Sequence, residues 1–223
     1  MRRLLFLLLI GVITSPVIYA QSTFDTKMLE AGLVDIQKKD TTLRVKLMYS
    51  TPQNFVGRDL YGELEKAYLQ PKFAAQVIKA QKLLRKLKPG YRLLICDAAR
   101  PISVQRTMYA LVAGTPNQVY VANGDRGGRH NYGVAVDLTI IDATGEPIDM
   151  GTPVDFFGDA AHLGHEKELI AAGKITAIAA QNRALLLRIM RQAGLVPYRR
   201  EWWHFEEPIT MTEVREKYKL LNF

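Results

Sequence analysis

The segment from Val134 to Ile140 alternates between apolar and smaller or polar side chains, a period of two that is typical of a β-strand. One face carries Val134, Val136, Leu138 and Ile140, and the other carries Ala135, Asp137 and Thr139. A strand with one continuous apolar face must pack that face on a core. The fold therefore has to include a sheet, and the carboxylate of Asp137 must project from its polar side.

The rest of the sequence predicts helices around this sheet. The pattern predicts a helix from Pro71 to about Gly90, a strand over 91–97, a helix from Pro101 to about Val112, a structured loop over 149–164 and a helix over 181–192. Helices and strands mix without regular βαβ repetition, and no repeat or linker divides residues 21–223. We therefore expect one compact α+β domain with a small, mainly antiparallel sheet flanked by helices.

The first twenty residues have the order of a secretory signal peptide. Met1-Arg2-Arg3 precedes an apolar run over 4–13, and small or apolar residues end at Ala20. A membrane anchor is the alternative, but the run is far shorter than the roughly 20 residues of a spanning helix. The sequence thus predicts a signal peptide over 1–20, one domain over 21–223, and a periplasmic or secreted protein without stable membrane insertion after cleavage.

Charge and cysteine content narrow the class of protein further. The formal charge of +8 falls to +6 without Arg2 and Arg3, and the basic residues are scattered without a nucleic-acid-binding motif. We therefore expect no nucleic-acid partner, and the charge fits solubility and weak attraction to an anionic cell envelope. Cys96 is the only cysteine, so an intramolecular disulfide is impossible. Its apolar neighbours predict a buried, inert thiol.

Two of the four histidines have neighbours that suit metal binding. His130 follows a glycine-rich segment and precedes the strand of Asp137, so a turn could fold the imidazole over the same side of the sheet. His204 lies three residues after Glu201, in the bulky sequence Glu201-Trp-Trp-His204. A catalytic metal site needs three protein ligands, and aromatic surroundings that exclude water make a carboxylate more basic. Residues 201 and 204 would lie on opposite faces of a regular strand, so we expect a bend there.

Several separated segments resemble the D-alanyl-D-alanine dipeptidase family. The resemblance joins His130-x-x-Gly-x-Ala-x-Asp137 to Glu201-Trp-Trp-His204, and Asp97-Ala-Ala-Arg100-Pro is similar to the arginine segment of that family. The segments 49–57 and 149–156 extend the match in the same order. Such an ordered set is far more specific than any single motif.

The resemblance implies a role for each residue of the site. It implies one Zn²⁺ ion held by His130, Asp137 and His204, with Glu201 as the catalytic base and Arg100 stabilising the transition state. It also implies that Asp155 binds the α-ammonium group of a D-Ala-D-Ala substrate, with Tyr49 and Tyr61 as further substrate-binding residues.

The segment before His130 departs from the family. The family usually has serine just ahead of the first histidine, whereas this chain has Gly127-Gly128-Arg129. In the family, one such serine helps to hold the substrate carboxylate. Without it, the substrate carboxylate would meet backbone N–H groups or Arg129, and the resemblance does not decide between them.

Other readings of the sequence remain open. His162-x-x-His165 has metal-ligand spacing but no third partner. The side chains of Trp202 and Trp203 suit either the hydrophobic core or the wall of a substrate pocket. Glu206 and Glu207 are expected to be solvated. The rival activities are a D,D-carboxypeptidase acting on peptidoglycan stem peptides and a non-catalytic, wall-binding zinc module. An exported dipeptidase fits wall turnover or D-alanine scavenging better than antibiotic resistance. The sequence does not indicate an oligomeric state.

Overall fold

The structure is a computed structural model, and it describes residues 23–223. Its helices are Thr23–Glu30 (α1), Ile36–Lys39 (α2), Pro71–Leu87 (α3), Ile102–Val112 (α4), Glu166–Ala171 (α5), Ala177–Gln192 (α6) and Met211–Lys217 (α7). Its strands are Val34–Asp35 (β1), Arg44–Val45 (β2), Tyr68–Leu69 (β3), Arg92–Asp97 (β4), Ala135–Ile141 (β5), Val196–Pro197 (β6) and His204–Glu206 (β7). The signal peptide expected over 1–20 lies outside the described residues. Within 23–223, no helix has the length and apolar character needed to cross a membrane.

A five-stranded sheet organises the domain, in the order β2-β4-β5-β7-β6. Only β2 and β4 run parallel, and the other neighbouring pairs are antiparallel. Strands β1 and β3 form a separate antiparallel pair. The expected α+β class and the mainly antiparallel sheet are both confirmed.

Strand β5 lies at the centre of the sheet and divides the core from the site. Val136, Leu138 and Ile140 are fully buried in the main hydrophobic core. Asp137 on the opposite face is also buried, at 3% exposure. The face expected to be polar is therefore enclosed, and Asp137 on it borders a cavity.

Helices α3 and α6 pack against each other and contribute to the core. Helix α3 begins at Pro71, as expected, and ends at Leu87, three residues before Gly90. Helix α6 begins four residues earlier than the sequence predicted. The reason is Thr176, whose hydroxyl accepts a hydrogen bond from Ala179 N at 2.9 Å and caps the helix.

Helix α6 also fixes the loop over residues 149–164. The buried guanidinium of Arg183 donates from Nε to Met150 O at 2.7 Å and from Nη2 to Ala160 O at 2.9 Å. Within the loop, Asp155 adopts a left-handed backbone conformation with φ of 61°. These anchors on both sides of Asp155 set the position of its carboxylate.

Candidate active site

The three candidate ligands meet on one side of the central sheet. Asp137 of β5 and His204 of β7 are directly paired across the antiparallel ladder, so their side chains share a face. His130 belongs to a short 3₁₀ turn, Arg129–Tyr132, which precedes β5. That turn ends at Gly133 with φ of 69°, where a Cβ atom would collide with Leu33. A glycine is therefore needed at the bend that brings His130 over Asp137.

The donor atoms of these residues form a compact set. His204 Nδ1 lies 2.9 Å from Asp137 Oδ1, and His130 Nε2 lies 3.2 Å from Asp137 Oδ2 and from His204 Nδ1. One ligand atom of each residue falls within 4.8 Å of the others. The bend expected before His204 is present too, because β7 begins only at that residue.

The outer contacts of the two histidines leave their facing nitrogens available to a metal ion. His130 Nδ1 contacts Ala98 O at 2.6 Å and His204 Nε2 contacts Glu206 Oε1 at 3.1 Å. A carbonyl or carboxylate oxygen can only accept, so the facing nitrogens of neutral rings both present lone pairs. Two imidazole nitrogens and a carboxylate that face one point suit a divalent metal ion.

Glu201 lies beside this set on the turn before β7. Its Oε2 is 3.6 Å from His204 Nδ1, and its side chain is 13% exposed. Burial raises the pKa of Glu201 to about 8, which agrees with the basicity expected from its aromatic neighbours. The geometry brings this carboxylate to the edge of the candidate metal site.

Arg100 lies just after β4 and is held by several contacts. Its Nε donates to Asp97 Oδ2 at 3.0 Å, Nη2 donates to the same oxygen, and Nη1 donates to Gln105 Oε1 at 2.8 Å. The guanidinium also lies over the ring of Tyr49, 5.1 Å from its centroid. An arginine has five N–H groups, so two on the terminal nitrogens remain after these bonds.

Gln105 is a site residue that the sequence analysis missed. Besides accepting from Arg100, it donates from Nε2 to Ala122 O at 2.8 Å, and it is 1% exposed. It fixes the guanidinium from the side opposite Asp97. Nothing in the helical pattern of α4 separates Gln105 from an ordinary polar residue, so no sequence signal could have found it.

The three predicted substrate-binding residues take different positions. The Tyr49 hydroxyl donates to Asp155 Oδ2, and both residues line the cavity. Burial raises the pKa of Asp155 to about 6. Tyr61 instead donates to Asp97 Oδ1 at 2.6 Å, is 2% exposed and lies behind Arg100, outside the cavity lining. Its position suits support of Asp97 better than contact with a ligand.

A cavity of about 340 Å³ joins these groups. Its polar lining includes Arg100, His130, Asp137, Asp155, Glu201 and His204, and its apolar walls include Phe55, Met108, Tyr120, Phe157, Trp203 and Met211. Trp202 and Trp203 are both 2% exposed, and only Trp203 is part of the lining. The two tryptophans are therefore core residues, one of which also forms a wall. A volume of this size is within the range of small-molecule sites.

Three expectations about residues outside the ligand set have different outcomes. Glu206 and Glu207 are not solvated: the Glu206 side chain is 17% exposed, and Glu207 is fully buried. That expectation was wrong because β7 lies between β5 and β6, which encloses the residues at its end. His162 and His165 join no metal-binding group of three or more within residues 23–223. Cys96 is 9% exposed, and burial raises its pKa to about 12, as expected of an inert thiol.

Comparisons with known proteins show which family the chain belongs to. The sequence model of peptidase family M15, described as D-Ala-D-Ala dipeptidase, matches residues 29–220. The D-alanyl-D-alanine dipeptidase of Escherichia coli K12 is 31% identical over 79% of this chain and 84% of that protein. The enzyme of the same name from Enterococcus faecium is 30% identical over 79% of this chain and 92% of that protein. The solved LdcB LD-carboxypeptidase is 15% identical, with a TM-score of 0.38 over 68% of this chain and 70% of that one. Since the family match spans most of the described residues, the chain belongs to the D-Ala-D-Ala dipeptidase family of peptidases.

Proposed function

We propose that the protein is a zinc-dependent dipeptidase that hydrolyses D-Ala-D-Ala to free D-alanine. One observation carries the proposal: His130, Asp137 and His204 converge with Glu201 and Arg100 on a single cavity. Two curated relatives are named D-alanyl-D-alanine dipeptidase, which supports the choice of substrate. Binding alone would need neither the base nor the arginine, and this disfavours a non-catalytic wall-binding module.

His130 Nε2, His204 Nδ1 and a carboxylate oxygen of Asp137 would hold the zinc ion. Three ligands of this type leave a position free for water, as catalytic zinc sites require. When bound, zinc polarises the peptide carbonyl and lowers the pKa of water to about 7. The remaining steps belong to the side chains of the protein.

Glu201 would be the general base and then the general acid. Its carboxylate stands next to the donor set, so it can take the proton of the attacking water and later deliver that proton to the leaving amine. The walls around it, including the side chain of Trp203, exclude bulk water from the transfer. Glu201 thereby takes part in both proton transfers, the one from water and the one to the leaving amine.

Arg100 would stabilise the oxyanion that forms when the peptide carbonyl is attacked. Asp97 and Gln105 fix its guanidinium before the substrate arrives, so no reorganisation is needed as charge develops. The two N–H groups left over can point at that oxygen. The fixed charge of Arg100 therefore favours the transition state over the ground state.

Asp155 would bind the free α-ammonium group and restrict the site to dipeptides. The carboxylate is half-buried at the cavity wall, and the hydroxyl of Tyr49 holds one of its oxygens. A blocked amino terminus carries no charge with which to pair this carboxylate. A pentapeptide would in addition have to extend past the loop that carries Asp155.

The substrate comparison tests this proposal. We expect kcat/KM for D-Ala-D-Ala to exceed that for N-acetyl-D-Ala-D-Ala by about 10–100-fold, since hydrogen bonds to charged groups contribute about 1.5–3 kcal/mol. The Asp155→Asn variant should lose most of this preference. Asp159→Asn in the same loop is the control, because Asp159 is exposed and pairs with Lys174. Faster D-alanine release from a stem pentapeptide would contradict the proposal and favour a D,D-carboxypeptidase.

We also propose that the enzyme works outside the cytoplasm, in wall turnover or D-alanine scavenging. The support is the signal-peptide order of residues 1–20. Wall precursors are built in the cytoplasm, so an exported enzyme would not deplete them. Cell fractionation should find a mature chain beginning at Gln21 outside the cytoplasm, and a cytoplasmic mature chain would contradict this assignment.

A further inference from the structure

The two nitrogens of the His204 ring face different partners. Nδ1 faces the donor atoms of Asp137 and His130, at 2.9 and 3.2 Å. Nε2 lies 3.1 Å from Glu206 Oε1, on the side of the ring away from those donors. Because a carboxylate accepts hydrogen bonds, this contact requires a proton on Nε2 and leaves the lone pair of a neutral ring on Nδ1.

The carboxylate of Glu206 is itself fixed by Arg129. Arg129 Nε lies 2.6 Å from Glu206 Oε2, and both side chains are mostly buried, at 15% and 17% exposure. The guanidinium is anchored further by Nη1 to Glu207 O at 3.3 Å and Nη2 to Ile209 O at 2.6 Å. One oxygen of Glu206 thus binds Arg129 and the other binds His204.

The contacts of Arg129 determine whether its guanidinium is available to bind the substrate carboxylate. Glu206 and two backbone carbonyls already engage its guanidinium. Releasing it toward a ligand would leave the Glu206 carboxylate without its ion-pair partner in a mostly buried position. Arg129 lines the cavity, but these bonds suit it to hold Glu206 better than to bind the substrate.

We propose that Glu206, held by Arg129, is a positioning residue that sets the tautomer and ring orientation of His204 and strengthens metal binding. His130 receives the equivalent support from a neutral carbonyl, Ala98 O at 2.6 Å. His204 differs because the acceptor that faces its Nε2 is the Glu206 carboxylate, which is ion-paired with Arg129. Carboxylate partners of this kind orient a ligating histidine and raise its basicity. The inference rests on the metal site of the proposed function.

The zinc affinity of Glu206 variants tests the proposal. The dissociation constant is measured at fixed pH by competition with a chromophoric chelator. Glu206→Ala should weaken zinc binding by about 10–100-fold. Glu206→Gln keeps an acceptor oxygen and should fall between wild type and Glu206→Ala. The visible absorption bands of the Co²⁺-loaded protein, which report ligand geometry, should shift in Glu206→Ala.

Glu207→Gln is the matched control for a purely structural effect. Glu207 is the neighbouring buried carboxylate, but its side chain binds Lys72, Lys217 and Tyr218 instead of His204. This variant should lower the unfolding temperature and leave the zinc affinity and the Co²⁺ bands unchanged. Arg129→Gln should weaken zinc binding in the same direction as Glu206→Ala, and the double variant should show less than the combined loss.

The outcomes separate this inference from the proposed function. If the wild-type protein binds zinc and Glu206→Ala binds it equally well, the positioning role is wrong and the metal site stands. Additive losses in the double variant, or weaker binding by Glu206→Gln than by Glu206→Ala, would also overturn it. A wild-type protein that binds no zinc would overturn both the inference and the proposed function.

Discussion

Replacing Glu201 by glutamine is expected to lower kcat for D-Ala-D-Ala hydrolysis by about 10²–10⁴-fold, the usual contribution of general acid–base catalysis. Glutamine keeps the size and position of the side chain on the turn before β7, but its amide cannot take a proton from water. Zinc should stay bound, because Glu201 is not one of the three grouped donors. The loss should therefore appear in kcat at full metal occupancy.

The measurement pairs steady-state kinetics with metal analysis of the same preparation. Glu216→Gln, on the exposed side of α7, is the control and should have wild-type kinetics. Intact hydrolysis by the zinc-loaded Glu201→Gln enzyme would show that another group is the base. The proposed mechanism would then be wrong even if the metal site were correct.

Replacing Arg100 by lysine is expected to lower kcat by about 10²–10³-fold, comparable to the loss of one oxyanion-stabilising donor. Lysine retains the charge next to Asp97, so the buried carboxylate keeps a cationic neighbour. A single ammonium group cannot reproduce the planar set of bonds to Asp97 and Gln105 and also reach the oxyanion. The defect should consequently lie mainly in the transition state.

Separate determination of kcat and KM checks this prediction. Arg106→Lys on α4, the helix that follows Arg100, is the control, since the Arg106 side chain is 52% exposed and approaches Asp125 at 3.9 Å. A change of kcat within about threefold in Arg100→Lys, or a change confined to KM, would contradict a transition-state role.

Local patterns in the sequence predicted much of the fold. The alternation around Asp137 predicted β5, and Pro71 and Pro101 placed the starts of α3 and α4 closely. The bend between Glu201 and His204 followed from strand periodicity together with the expectation that both side chains face one metal ion. Such features depend on spacing within one element, and spacing is visible in a sequence.

The supporting contacts of the site could not be predicted in the same way. Arg129 and Glu206 are 77 positions apart and meet only because β7 packs beside β5. Charge alone suggested that Glu206 was solvated, whereas its surroundings depend on strand order. Gln105 likewise acquires its role from the position of Arg100, which no helical pattern encodes.

The relation between metal content and hydrolysis of D-Ala-D-Ala tests the central claim most directly. Metal content is determined by mass spectrometry on the purified protein, before chelation, after chelation and after adding back zinc, with D-alanine release measured at each stage. We predict about one zinc ion per chain, loss of hydrolysis after chelation and recovery in proportion to the zinc restored. Full hydrolysis of D-Ala-D-Ala by the metal-free protein would contradict the account.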